Sequence, residues 1–188
     1  MLPLGHLGIG RRLVAPWTRD LPWWAILLGT VLPDLIDKPL YYGASWLTGK
    51  KGLELGLFLS GTRTFGHTLL LTGILALASR AARSGVLKAI VLGMLTHLFL
   101  DTVSDWLSHA FAAPPPPGAP VTIPGIAAVL WPLLGWQMPF AVAPDLGTYA
   151  ANSFNWVTVI GELLGALLLV AYFRGARRRP PAANSHGA

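Results

Sequence analysis

No cysteine occurs anywhere in the 188 residues, which excludes disulfides and thiolate metal sites and leaves the redox compartment open. Charge is also scarce. Only 12% of residues are Asp, Glu, Lys or Arg, about half the share of an ordinary soluble domain. There is no internal repeat, and the N-terminus lacks a signal-peptide layout, because Arg11 and Arg12 follow the first apolar stretch instead of preceding it. Lysine and arginine are missing altogether from Asp105–Asn155.

What is there is apolar: 53% hydrophobic residues and a mean hydropathy of +0.55. The length suits one compact unit, and lipid is the expected solvent for its exterior. The net charge of +6 is no nucleic-acid footprint. The basic residues sit at the ends of apolar runs, and "RGARRRPP" directly follows the last one, as juxtamembrane residues do.

Four runs approach the roughly 20 helical residues that cross a bilayer: Leu21–Ile36, Gly66–Ala81, Val86–Val103 and Trp156–Phe173. Leu2–Val14 reads as a half-helix. "IAAVLWPLLGWQMPF", broken by Pro132 and Pro139, reads as an interfacial or re-entrant segment. The expected fold class is therefore all-α, a multi-pass transmembrane helical bundle of about four to five helices with a re-entrant or interfacial Trp/Pro segment. Residues 1–175 form one membrane-embedded domain, and 176–188 a basic, disordered tail. Asp37–Phe65 is expected as a long loop with a short helix around "KGLELGLFL", and "FAAPPPPGAPVTIPG" as a stiff extended linker.

Arg80, Arg83 and Lys88 place the turn between the second and third runs in the cytoplasm by the positive-inside rule, and Arg174, Arg177, Arg178 and Arg179 do the same for the tail. Lys38, Lys50, Lys51 and Arg63 in the outer loop run against it. The expected location is the inner membrane, with the tail cytoplasmic and the polar site on the outer face.

That site is the second signal. His97 and Asp101 are four apart, on one helical face, inside a run of apolar residues. Asp34 and Asp37 follow Pro33, His67 opens the next run, and His6 lies in the N-terminal half-helix. An aspartate at a helix centre costs about 2.5–3.5 kcal/mol on insertion scales, and repeating that cost at one level of several helices favours a shared site. Imidazole with carboxylate is the ligand set of zinc, manganese and non-haem iron. His6, Asp34, His67, His97 and Asp101 are the candidate ligands for one or two divalent ions. Asp37 is a candidate ligand or base, and Arg63 a candidate clamp for an anionic group. The same residues have plainer readings: Asp34 as a helix-end aspartate, His97 and Asp101 as an ion pair, Arg63 as a snorkelling arginine. Glu162 reads as a bond to a neighbouring helix, and His109 and His186 as solvated. Trp131, Pro132, Trp136 and Gln137 are interface anchors or a lid over the site.

"GHLGIG", "LLGTVLPDLIDKPL", "GTRTFGHTLL", "VLGMLTHLFLD" and "VLWPL" occur in this order between Gly5 and Pro139. In order and spacing they resemble the motifs of the LexA-regulated, membrane-bound, predicted metal-dependent hydrolases of bacteria and archaea. The resemblance implies that His6, Asp34, His67, His97 and Asp101 bind metal. Two positions depart from that pattern: Asp37 stands three residues after Asp34 where many members have an aspartate at two, and Thr62 stands where many have a histidine. Both departures admit a smaller ligand set or a single ion.

The function expected is hydrolysis of a phosphoester or acyl bond of a lipid-linked or headgroup substrate by metal-activated water. The partners are membrane lipid and no nucleic acid. The alternatives are a non-catalytic metal-binding membrane protein, a divalent-cation transporter, and a histidine-nucleophile lipid-phosphate phosphatase, whose lysine-containing and serine-glycine-histidine motifs are missing here.

Overall fold

A computed structural model describes residues 2–56, 59, 61–111, 126–134, 147 and 155–177. Among these the chain is all helical. Three consecutive pieces, Pro3–Gly5, a wider π segment His6–Gly10, and Arg11–Val14, form the first helical run, α1 (3–14). There follow α2 (Trp23–Thr48), α3 (Leu69–Ala81), α4 (Gly85–Ala110) and α5 (Trp156–Arg177). Single turns of 3-10 helix lie at Gly52–Leu55 and Phe65–His67, and one α turn at Ile126–Val129.

Two of these helices are long and apolar enough to cross a membrane: Gly85–Ser108 within α4 and Trp156–Gly175 within α5. The expected four spans are not all of this kind. α1 and α3 are short, and α2 carries Asp34, Asp37 and Lys38 along its length.

α2 corrects the sequence reading most. Asp37–Phe65 was expected as loop, yet the helix continues through Pro33 and Pro39 to Thr48. Each proline removes one backbone donor, but the flanking side chains hold the run together: Lys38 Nζ sits on Asp34 Oδ2 one turn back, and Tyr41 is fully buried. The stop comes at Gly49, whose φ of 69° is left-handed and whose N–H donates to Ser45 O at 2.9 Å. α4 likewise runs to Ala110, seven residues past Val103, and α5 to Arg177, into the segment read as tail. α3 begins at Leu69, not at Gly66; Thr68 Oγ1 caps it by accepting from Leu71 N–H at 3.1 Å. The proline linker (112–125), Trp136, Gln137, Pro139 and the tail beyond Arg177 lie outside the described residues.

Helices meet where glycine removes a side chain. A Cβ on Gly29 of α2 would lie 2.2 Å from Ile90 O of α4, and one on Gly93 of α4 would lie 2.4 Å from Ile26 O. α1 and α5 cross in the same way at Gly8 and Gly165, where a Cβ would come within 1.9 and 2.2 Å of backbone oxygens. Such small-residue crossings let helix backbones touch. Glu162 of α5 does bond its neighbour: its carboxylate accepts from Leu4 N–H and Gly5 N–H of α1, both at 2.9 Å. At one end of the bundle Leu21 packs beside Gly85 and Trp23 meets Phe173 edge-on at 5.8 Å. That end therefore gathers the close of α1, the start of α2, the α3–α4 turn and the close of α5, with their arginines.

Candidate metal centre

The polar residues converge within the bundle, well away from that basic end. At 1.5 Å per residue, His97 stands about 18 Å and Asp101 about 24 Å along α4 from Gly85. Asp34 is about 16 Å along α2 from Trp23. His67 arrives from the 3-10 turn ahead of α3, and His6 from the π segment of α1; such widened turns recur at functional sites. Two long helices thus present the site from their middles and two short ones from their beginnings.

His67 Nε2, His97 Nε2, Asp34 Oδ1 and Asp101 Oδ2 face one another. His67 Nε2 lies 3.1 Å from His97 Nε2, 3.3 Å from Asp34 Oδ1 and 3.7 Å from Asp101 Oδ2. His97 Nε2 lies 3.6 Å from Asp101 Oδ2 and 4.0 Å from Asp34 Oδ1. A tetrahedral ion with nitrogen and oxygen ligands at 2.0–2.2 Å separates them by roughly 3.3–3.6 Å, a spacing that these five separations bracket.

The outer nitrogen of each ring is tied. His97 Nδ1 lies 2.8 Å from Thr30 O, a carbonyl that can only accept, so the proton is on Nδ1. His67 Nδ1 lies 2.7 Å from Asp37 Oδ2. With both Nδ1 atoms donating, two neutral rings would point bare Nε2 lone pairs at each other and at two carboxylate oxygens. That grouping needs a cation or a proton between its members, and the outer bonds are those that orient metal-binding histidines. The residues therefore fit a divalent ion.

Asp37, the candidate ligand or base, has partners within the protein itself. Its carboxylate accepts from Thr64 N–H at 2.7 Å and Gly66 N–H at 2.8 Å besides meeting His67. It pins the 61–68 segment against α2 and orients His67. Gly66 is required there, since a Cβ would come within 2.9 Å of Asp37 Oδ1 and 2.8 Å of Pro33 O.

His6 stacks on His97, with ring centroids 4.0 Å apart, and its Nε2 lies 3.1 Å from Asp101 Oδ1. Its Nδ1 is buried with no hydrogen-bond partner, the condition a bound ion or water relieves. Two overlapping groups could hold metal, His6 with His97 and Asp101, and Asp34 with His67 and His97. They share His97, whose one untied nitrogen serves a single ion.

Arg63 closes the edge. Its Nη2 lies 3.1 Å from Asp101 Oδ2, and its Nη1 pairs with Asp105. Burial works against the guanidinium charge, but Asp101 and Asp105 hold its pKa above the ordinary value. The histidine side chains at the cage are at most 2% exposed, whereas Asp34, Arg63 and Asp105 are 14%, 20% and 30% exposed; the cage opens along this edge. Sequence reasoning missed Asp105, although it continues the His97–Asp101 face by another four residues. It also missed the Thr30 carbonyl, for which a side-chain pattern holds no signal. Trp131 is buried, while the other tryptophan of the expected lid, Trp136, lies outside the described residues. Comparison with family models, curated proteins and solved structures finds no match.

Proposed function

We propose that the chain is a multi-pass inner-membrane protein in which α2 and shorter α1 and α3 complete a four-to-five-helix bundle around α4 and α5, and that it is a metal-dependent hydrolase of lipid-linked substrates. The observation that carries the reading is the facing pair His67 Nε2 and His97 Nε2 at 3.1 Å, each ring tied outward at Nδ1. The motif resemblance points the same way. With a 30 Å hydrocarbon layer starting near Gly85, Asp101 lies about 6 Å beneath the far boundary and Asp105 at it. The polar end of α4 then leads from the cage to the headgroups of the outer leaflet, deeper than a site at headgroup level.

One ion of zinc, manganese or iron fits the donor set. It would supply Lewis acidity and lower the pKa of a bound water. Arg63 would exchange part of its pairing with Asp101 and Asp105 for an anionic group of the substrate, a phosphoester above all, because its planar fork suits phosphate. His6, whose Nε2 meets Asp101 and whose Nδ1 is unpartnered, stands at the border of the cage as a further donor. Asp37 and Thr30 keep the two ligand rings in register.

One observation favours a second reading, a structural ion: His67, His97, Asp34 and Asp101 offer four protein donors, as many as a closed zinc site has. Elemental analysis combined with turnover of a panel of lipid phosphates and lipid esters separates the two. The hydrolase reading expects near-stoichiometric metal, turnover of one lipid class, and loss of that turnover in Arg63→Gln with metal retained. A metal-loaded protein inert toward every class, and unfolding on chelation, would establish the structural role instead.

A further inference from the structure

The basic end of the bundle holds a cavity that none of the cage residues lines. Between α1, the 15–22 segment and the last turns of α5 lies a cavity of about 970 Å³, within the range of small-molecule sites. Arg11, Arg12 and Arg19 line it, and no acidic residue does. None of the three arginines pairs with a carboxylate among the described residues. Arg11 is held in place without being neutralised. Its Nη1 lies 3.4 Å from Thr18 Oγ1, its guanidinium sits over the Tyr172 ring at 4.8 Å, and its Nε is buried without a hydrogen-bond partner.

The opposite wall is greasy. Leu168 and Leu169 of α5 and Trp23 of α2 also line it, and α5 turns a long apolar face outward. The cavity thus joins a three-arginine cradle to an acyl-compatible wall at the level of the arginine-rich helix ends. A soluble phosphate would use only the first of these.

We propose that this cavity binds the headgroup phosphate of an anionic phospholipid, with its acyl chains laid against α5. It is a binding site separate from the metal centre, because none of the cage residues lines it. The lipid would fasten α1 to α5 at their basic ends, as Glu162 fastens them at the other.

The test is native mass spectrometry of the full chain in neutral detergent, titrated with phosphatidylglycerol or phosphatidylcholine. Wild type is expected to retain phosphatidylglycerol preferentially. Each arginine changed to glutamine should weaken retention about five-fold, the worth of one basic side chain at an anionic surface, so Arg11→Gln/Arg12→Gln/Arg19→Gln should abolish the preference. Should that triple variant fail to fold, Gly175→Trp replaces it: Gly175 lines the cavity, and a Cβ there meets nothing within 4 Å, so the indole fills the space with the arginines intact. It should lose the lipid as well. Equal retention of the two lipids by wild type would overturn the proposal, as would an unchanged preference in the folded variants. Displacement of the lipid by inorganic phosphate at equal concentration would overturn the lipid assignment in favour of a free-phosphate site. Metal content is read on the same samples, and a failure of the metal reading leaves this result untouched.

Discussion

α4 and α5 are both long and apolar enough to cross a membrane, but half of the apolar stretch of α4 is buried and only 22% of that of α5 is. α4 is packed on several sides, against α2 through Gly29 and Gly93 and against α3, and it carries the polar face His97, Asp101 and Asp105. α5 gives the Glu162 carboxylate to the start of α1 and turns Val159, Ile160, Leu163, Leu164 and Leu167 outward. Hydropathy therefore measures suitability for lipid without separating the helix whose apolar side chains face outward from the helix that carries the polar cluster. Polar residues survive in α4 because partners from α1, α2 and the 61–68 segment satisfy them.

The sharpest way to break this comparison is to charge the outward face of α5. Leu167 is 68% exposed, and Leu167→Lys should cost about 2.5–3.5 kcal/mol of insertion if that face meets lipid. Membrane-fractionated expression measures it. An exposed position in water would tolerate the change within about 0.5 kcal/mol, and full retention of the membrane fraction would remove α5 from the bilayer.

The next test addresses the α2–α4 crossing. Gly29→Ala forces a Cβ to within 2.2 Å of Ile90 O and should destabilise the bundle by about 1–3 kcal/mol, whereas Gly73→Ala meets nothing within 4 Å and should be neutral or stabilising by up to about 1 kcal/mol. Thermal unfolding in detergent compares the pair; equal melting points would mean the helices do not touch there.

A smaller effect is expected from Glu162→Gln. The carboxylate serves two N–H groups at the start of α1, and removing its charge should cost about 1 kcal/mol. The loss should appear as faster hydrogen exchange at Leu4 and Gly5 without a change in α4.

Much of α4 could be read from the sequence, since apolar periodicity and an i, i+4 pair are both local. α2 could not be read to its end. Pro33, Asp34, Asp37, Lys38 and Pro39 look like a helix terminus, and only the distant 61–68 backbone supplies the donors that make Asp37 welcome mid-helix. The candidate ligands His67, His97, Asp34 and Asp101 were identifiable by type, and their approach to one another depended on the α2–α4 crossing at Gly29 and Gly93, which no side-chain pattern announces. The partners of Asp37 could not be read for the same reason, because they include backbone amides twenty-seven to twenty-nine residues away.

The central claim is that two imidazoles and two carboxylates are held face to face by a divalent ion. Elemental analysis of the purified full chain, beside His97→Ala and Asp37→Asn, tests it most directly. Close to one transition metal is expected per wild-type chain, none in His97→Ala, and an affinity lowered about 10–100-fold in Asp37→Asn, which loosens a ligand without removing it. Wild-type protein that takes up no transition metal after reconstitution, or His97→Ala that holds as much as wild type, would contradict it.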